Sequence, residues 1–142
     1  MKLRTGLVLM ALAMIGCGGS DDATANFVGT WQPSSGALII NCPGIAPISQ
    51  PITDQTNFAV GTASPLITSS SNCTTLFDVN GGTATARPGQ SCTNSDGTVH
   101  FTSWTFSTPD GAAGSETFAA TVTVGTTMCT ANESATYTRV SH

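Results

Sequence analysis

Alternation between apolar and polar positions is the strongest pattern in the second half of the chain. Between Glu116 and Val124, every second side chain from Phe118 onward is apolar, and the positions between them are threonine or alanine. The apolar series is Phe118, Ala120, Val122 and Val124. A period of two places successive side chains on opposite faces of a β-strand. This segment therefore predicts a strand with one buried face and one solvated face.

A β-hairpin is the clearest local prediction. The extended runs Thr74–Val79 and Gly82–Ala86 flank the pair Asn80-Gly81. An Asn-Gly pair readily supplies the two positive φ angles of a type I′ turn, which is a common connection between antiparallel strands. We therefore expect two neighbouring antiparallel strands here.

Other extended runs are separated by glycine, proline and polar residues. They are Phe27–Gln32, Ala37–Asn41, Asn57–Ala63, Pro65–Thr68, Thr98–Ser107 and Ser134–Val140. In the longest run the apolar residues Phe101, Trp104 and Phe106 do not keep one parity, which predicts either a β-bulge or partial cover on both faces. Three prolines in the segment 42–56 predict a long irregular loop.

These elements predict an all-β domain with almost no helix. About eight strands joined by short reversals favour a small antiparallel meander barrel, and a two-sheet β-sandwich is the alternative. Near its start, the pattern Gly29-x-Trp31 resembles the first strand of lipocalin-like and avidin-like barrels. The resemblance implies that Trp31 closes the floor of the barrel or contacts a ligand. A tryptophan that simply packs in the core is the competing interpretation.

The beginning of the chain has the pattern of an export signal. Lys2 and Arg4 precede an uncharged apolar stretch that ends at Gly16-Cys17, and this stretch is too short to span a membrane. The segment resembles a bacterial lipoprotein signal peptide. The resemblance implies cleavage before Cys17, acylation of Cys17, and anchoring by acyl chains to the outer membrane of a Gram-negative bacterium. An ordinary secretory signal is the alternative.

This interpretation divides the chain into three parts. Residues 1–16 are the signal peptide, residues 17–26 are an acylated flexible tether, and residues 27–142 are a single β domain. The tether prediction depends on its small and acidic residues, which have no apolar periodicity. The 126 residues that follow the cleavage point suffice for one domain.

The four remaining cysteines predict two disulfides, since exported proteins occupy oxidising compartments. Four cysteines allow three connectivities, and we favour Cys42–Cys129 with Cys73–Cys92. The cysteines form no C-x-x-C pair, so we expect no metal site. Each bridge would stabilise the domain by about 3–4 kcal/mol on the chain-entropy model.

Charge excludes one class of partner. After the signal segment, only Arg87 and Arg139 oppose eight acidic residues, which leaves a net charge of −6. No basic patch is available for nucleic acid or for anionic lipid headgroups, so we expect no nucleic-acid partner. Membrane attachment would depend on the acyl chains of Cys17.

Catalytic motifs are missing from the sequence. There is no Gly-x-Ser-x-Gly elbow, and His100, with Asp78 or Glu116 as a conceivable orienting carboxylate, is more simply explained as a solvent-facing strand residue. We therefore expect neither enzymatic activity nor a cofactor. The sequence favours a non-catalytic interaction or structural module with a protein partner. The alternatives are a lipocalin-like binder of a small apolar ligand and, ranked after it, a protease inhibitor.

Overall fold

The computed structural model describes residues 21–70, 73–95 and 97–141. The predicted signal peptide and Cys17 lie outside the described residues. One short helix precedes ten β-strands in this part of the chain. The elements are α1 (Asp21–Ala25), β1 (Gly29–Asn41), β2 (Ile48–Pro51), β3 (Thr56–Val60), β4 (Leu66–Ser70), β5 (Cys73–Asn80), β6 (Thr83–Ala86), β7 (Ser91–Asn94), β8 (Gly97–Ser107), β9 (Ala113–Val124) and β10 (Thr127–Ser141).

Eight of these strands form a closed antiparallel barrel, which confirms the predicted fold. Their order around the barrel is β1-β3-β4-β5-β6-β8-β9-β10, and β10 pairs with β1 to close the circle. Apart from the two extra strands, each strand is hydrogen-bonded to the next one along the chain, so the barrel is a meander rather than a sandwich. The barrel fits a lipocalin-like fold.

The two extra strands extend one end of the barrel. The first part of β1 pairs with β3, whereas its second part, from Ala37 to Ile40, pairs with β2 on the same edge. Likewise, β8 pairs with β6 near its last residues and with β7 near its first residues. We call the end where β3 and β6 join the circle the closed end, and the end bordered by β2 and β7 the open end.

The closed end contains a dry core. Trp31 is fully buried there, and its Nε1 donates a hydrogen bond of 2.7 Å to the carbonyl oxygen of Phe27. The Trp31 ring lies 4.9 Å from the ring of Phe106, and the guanidinium of Arg139 lies 5.0 Å from the centre of the Trp31 ring. The core consists of Phe27, Trp31, Phe58, Leu66, Phe77, Ala84, Phe106, Ala135 and Tyr137.

Strand β1 continues through residues 33–36, the proline- and glycine-containing segment that separates two of the predicted extended runs. Its pairing with β10 continues from Thr30 to Asn41 and is interrupted by register shifts, one of them between Pro33 and Ser35. A bulge accommodates Pro33 because proline has no N–H to donate to the ladder. Gly36 allows the close approach of β10, since a Cβ at this position would lie 2.5 Å from the Cβ of Ala135.

Three further elements differ from the prediction. Strand β2 lies within the predicted loop 42–56 and pairs only with β1, so Pro51 is tolerated at the end of an edge strand. The hairpin turn is centred on Gly81-Gly82, one residue later than predicted. Only Gly81 of these two has a positive φ, as in a type II′ turn. Helix α1 occupies part of the predicted tether, and Thr24 at its end accepts a hydrogen bond from the N–H of Phe27.

The disulfide prediction is confirmed. Cys42 is bonded to Cys129, and Cys73 is bonded to Cys92. The first bridge joins the end of β1 to the start of β10, and the second joins β5 to β7. Both disulfides therefore lie at the open end.

Candidate functional site

Two rows of inward-facing residues cross the long strands between the dry core and the open end. In the first row, Trp104 of β8 pairs with Phe118 of β9, and Phe118 pairs with Glu133 of β10. In the second row, one step closer to the core, Phe106 pairs with Glu116, which pairs with Ala135. Because side chains two residues apart share a face of a strand, Glu116 and Glu133 are diagonal neighbours inside the barrel.

A bulge brings the aromatic residues of β8 onto this inner face. The register between β8 and β9 shifts between Phe101 and Ser103, which confirms the bulge allowed by the sequence. Phe101 and Trp104 both line the interior as a result, and their ring centres are 5.4 Å apart. Phe118 lies 5.7 Å from each of these rings. The three rings form an apolar wall at the open end.

Two cavities meet at the side chains of Glu116 and Glu133. The first has a volume of about 360 Å³, opens between β5, β7 and the aromatic wall, and includes the Cys73–Cys92 bridge in its lining. The second has a volume of about 300 Å³ and lies beneath the connection between β2 and β3. Trp104, Glu116 and Glu133 line both cavities.

Glu116 is a buried acid with one satisfied oxygen. Its side chain is 3% exposed, and Oε1 accepts a hydrogen bond from Nε1 of Trp104. The other oxygen, Oε2, is buried and has no hydrogen-bond partner among the described residues. Burial raises the pKa of Glu116. The nearby Tyr137 hydroxyl, whose hydrogen bond in the structure goes to Glu133, and the Trp104 N–H oppose that shift by favouring the charged form.

Glu133 is half-buried beside Glu116. The Tyr137 hydroxyl donates to its Oε1 over 3.4 Å, which is a long hydrogen bond. Burial, together with the negative charge of Glu116, raises the pKa of Glu133 to about 7. The same two causes, burial first, raise the pKa of Tyr137, so its phenol stays neutral. The pair Glu116 and Glu133 therefore resists full ionisation near neutral pH.

Positive charge lies elsewhere in the described structure. Arg87 bonds to Asp78 at 2.8 Å on the outside of the barrel. Arg139 packs over Trp31 at the closed end and donates to the carbonyl oxygens of Ala25 and Asn26. None of the described residues that line the two cavities is lysine, arginine or histidine. Both cavities therefore have an acidic interior without an internal counter-ion.

The structure separates most of the residues that the sequence singled out. Trp31 belongs to the dry core and lines neither cavity. His100 is exposed and pairs with Ser91 and Thr121, so it is not brought together with the buried Glu116. Of the predicted disulfide cysteines, Cys73 and Cys92 line the first cavity, and Cys42 and Cys129 secure the rim.

Sequence reasoning did not single out the carboxylate pair as a site, although a signal exists for both residues. Glu116 has the same parity as Phe118 and Ala120, so it belongs to the face that alternation predicts to be buried. Glu133 precedes the predicted last strand by one residue. The series Cys129, Ala131, Glu133, Ala135 and Tyr137 also keeps one parity in β10, and four of its five members are buried.

Other site types have little support in the described residues. No group of three or more histidine, cysteine, aspartate or glutamate side chains is arranged to hold a metal ion in ranges 21–70, 73–95 and 97–141. Helix α1 is far too short to traverse a bilayer, and the described part of the chain contains no other helix that could. The cavities can accept hydrogen-bond donors and positive charge, and their aromatic wall offers apolar contact.

Comparison with protein-family models, with curated proteins and with solved structures found no significant match to this chain. Any function must therefore be argued from the fold and from the geometry of the open end.

Proposed function

We propose that this chain is an exported, lipid-anchored protein whose barrel binds a small molecule in the open-end cavities. The observation that carries the proposal is the cavity of about 360 Å³ between the aromatic wall and Glu116. Small-molecule sites are typically concave, mostly apolar and furnished with a few polar groups, and their volumes begin near 300 Å³. Eight-stranded barrels are large enough to hold one small ligand.

The contrast between the two ends supports binding over a purely structural role. A structural or interaction module needs only a filled barrel, and the closed end is filled by side chains that are almost fully buried. At the open end, large side chains such as Trp104 and Phe118 remain partly exposed toward a cavity. Leaving this apolar surface unfilled sacrifices packing energy, which a bound molecule would restore.

The proposed anchor complements this function. Acylation of Cys17 would hold the barrel at a membrane surface, and the disulfides suit an oxidising compartment. In this arrangement the protein would capture its ligand outside the cytoplasm, with no nucleic-acid partner and no cofactor.

Native mass spectrometry of the protein gently extracted from membranes tests ligand binding. We expect an additional non-covalent mass that disappears on denaturation. Val99→Trp should reduce its occupancy by filling the first cavity, which Val99 lines. Thr98→Trp places the same bulk one residue away, on the other face of β8, and should retain the ligand. Equal occupancy in both variants, or no bound species in the unmodified chain, would contradict the proposal.

The same spectrum tests the anchor. We expect the protein mass to start at residue 17 and to include acyl groups and two disulfides. Cys17→Ser should move the chain from the membrane fraction to the soluble fraction while leaving its thermal unfolding unchanged. Membrane association of the serine variant would contradict acylation at Cys17.

A further inference from the structure

The acidic interior of the open end lacks a counter-charge. Glu116 and Glu133 line both cavities, and Asp54 adds a third carboxylate to the second one. The two arginines of the described chain are engaged outside these cavities. Removing a carboxylate from water is costly unless it is paired or neutralised. A bound cation would supply the pairing that this part of the barrel does not.

The unpartnered oxygen of Glu116 indicates where that cation would sit. The Trp104 N–H already occupies Oε1, and the almost fully buried Oε2 accepts no hydrogen bond within the described structure. An unmade hydrogen bond at a buried acceptor is a penalty that a ligand donor would relieve. Because Glu116 lines both cavities, a modest rotation of its side chain would present this buried oxygen to a donor in either of them.

The aromatic wall indicates what kind of cation fits. Trp104, Phe101 and Phe118 have mutual ring-centre distances of 5.4 to 5.7 Å and border the same cavity as Glu116. Trp104 turns its N–H edge toward Glu116, so the rings offer surface that buries hydrocarbon beside the carboxylate that would hold the charge. A bare divalent metal ion would gain little from such a wall, and no metal-binding group of side chains is present among the described residues.

We propose that the open-end cavities bind a small organic amine in its protonated form. Its ammonium group donates to Oε2 of Glu116 and faces Glu133, while its apolar body packs against Trp104 and Phe118. This inference depends on the proposed small-molecule binding and narrows it to one ligand class. The volume of about 360 Å³ suits an amine with a single ring or a short chain.

Amine binding should depend on pH. The titratable groups facing Glu133 are Glu116 on β9, Tyr137 on β10 and Asp54 in the connection between β2 and β3. With its pKa raised to about 7, Glu133 holds a proton near neutral pH in the free protein. An approaching ammonium favours the carboxylate and releases that proton. Affinity should therefore rise between pH 5 and pH 8, a range in which alkylamines remain protonated.

Isothermal titration of the full chain in detergent at pH 8 tests the inference with three matched probes. They are 2-phenylethylamine, the neutral 2-phenylethanol and the anionic 3-phenylpropionate. We expect the amine to bind at least tenfold more tightly than the alcohol and the acid to bind most weakly. Glu116→Gln keeps the shape and one acceptor oxygen, so it should remove the preference for the amine.

Two more variants keep this test decisive. Glu133→Gln, at a half-buried position, should weaken amine binding and flatten its pH dependence even if Glu116→Gln folds poorly. Asp78→Asn removes one negative charge from the outside of the barrel and should leave amine binding unchanged. If Asp78→Asn weakened amine binding as much as Glu133→Gln does, the effect would be a response to net charge, and the inference would be overturned.

The outcomes separate this inference from the proposed function. If the alcohol binds as tightly as the amine, the amine inference fails and small-molecule binding stands. If none of the three probes binds, the inference also fails. Native mass spectrometry of the extracted protein then decides whether the barrel binds any small molecule.

Discussion

The two ends of this barrel are built from the same long strands but have opposite interiors. At the closed end, Trp31, Phe58 and Phe106 are at most 1% exposed, and the first two each contact Phe106 edge to face. At the open end, β8, β9 and β10 present Trp104, Glu116 and Glu133 to cavities. Eight strands surround the interior of the closed end, whereas edge strands and disulfides border the interior of the open end.

This difference assigns separate roles to the two ends. Close packing stabilises a fold, and each apolar side chain that leaves water contributes to that stability. A buried acid with an unmade hydrogen bond and a raised pKa lowers stability, and such features concentrate at functional sites. We therefore regard the closed end as the scaffold and the open end as the site.

Loss of a disulfide at the open end should have the largest effect on stability. In the chain-entropy model, replacing Cys42 and Cys129 by alanine costs about 4–5 kcal/mol, above the range expected from the sequence, because this bridge spans 87 residues. Replacing Cys73 and Cys92, which are 19 residues apart, costs about 3 kcal/mol. Urea unfolding of the two double variants measures both values. A smaller loss for the longer bridge would contradict this order.

A matched pair of phenylalanines compares the packing of the two ends directly. Phe106→Ala should reduce the free energy of unfolding by about 3–5 kcal/mol, since Phe106 is fully buried among aromatic rings. Phe118→Ala, on the neighbouring strand, should cost only about 1–2 kcal/mol, because its ring already borders a cavity. Urea unfolding measures both variants. Equal losses would mean that the open end is as tightly packed as the closed end.

Raising the pH should destabilise the free protein by a smaller amount. Between about pH 4.5 and 7 the folded chain keeps a proton on Glu133 that the unfolded chain releases, so the free energy of unfolding falls as pH rises. We expect a loss of about 1–3 kcal/mol between pH 5 and 8 from the carboxylate pair. Urea unfolding across this range provides the measurement. Glu133→Gln should reduce the slope, and a slope that persists unchanged would exclude Glu133 as its source.

The barrel was largely predictable, because its main strands follow local rules. The alternation in β9 predicts a strand. The irregular parity of β8 predicts a bulge or partial cover on both faces, and the number of cysteines predicts two disulfides. Strand β2 was not predictable from its proline-rich sequence, because its extended conformation depends on hydrogen bonds to strand β1.

The site formed by Glu116 and Glu133 was not predicted, for a different reason. A glutamate in an amphipathic strand is normally assigned to the solvated face, since acids are rarely buried. Only the closure of the barrel shows that the face containing Glu116 and Phe118 encloses a cavity. Glu133 becomes its neighbour through the pairing of β9 with β10, which the sequence alone does not specify.

The chain has two tryptophans, one at each end of the barrel, and their indole N–H signals allow a direct test. The measurement is a ¹⁵N–¹H correlation spectrum of the labelled full chain during titration with 2-phenylethylamine, with the signals assigned by Trp104→Phe. We predict a saturable shift of the Trp104 signal, whose N–H is bonded to Glu116, while the Trp31 signal stays in place. A Trp104 signal that does not move at high amine concentration, or an equal shift of Trp31, would contradict the division into scaffold and site.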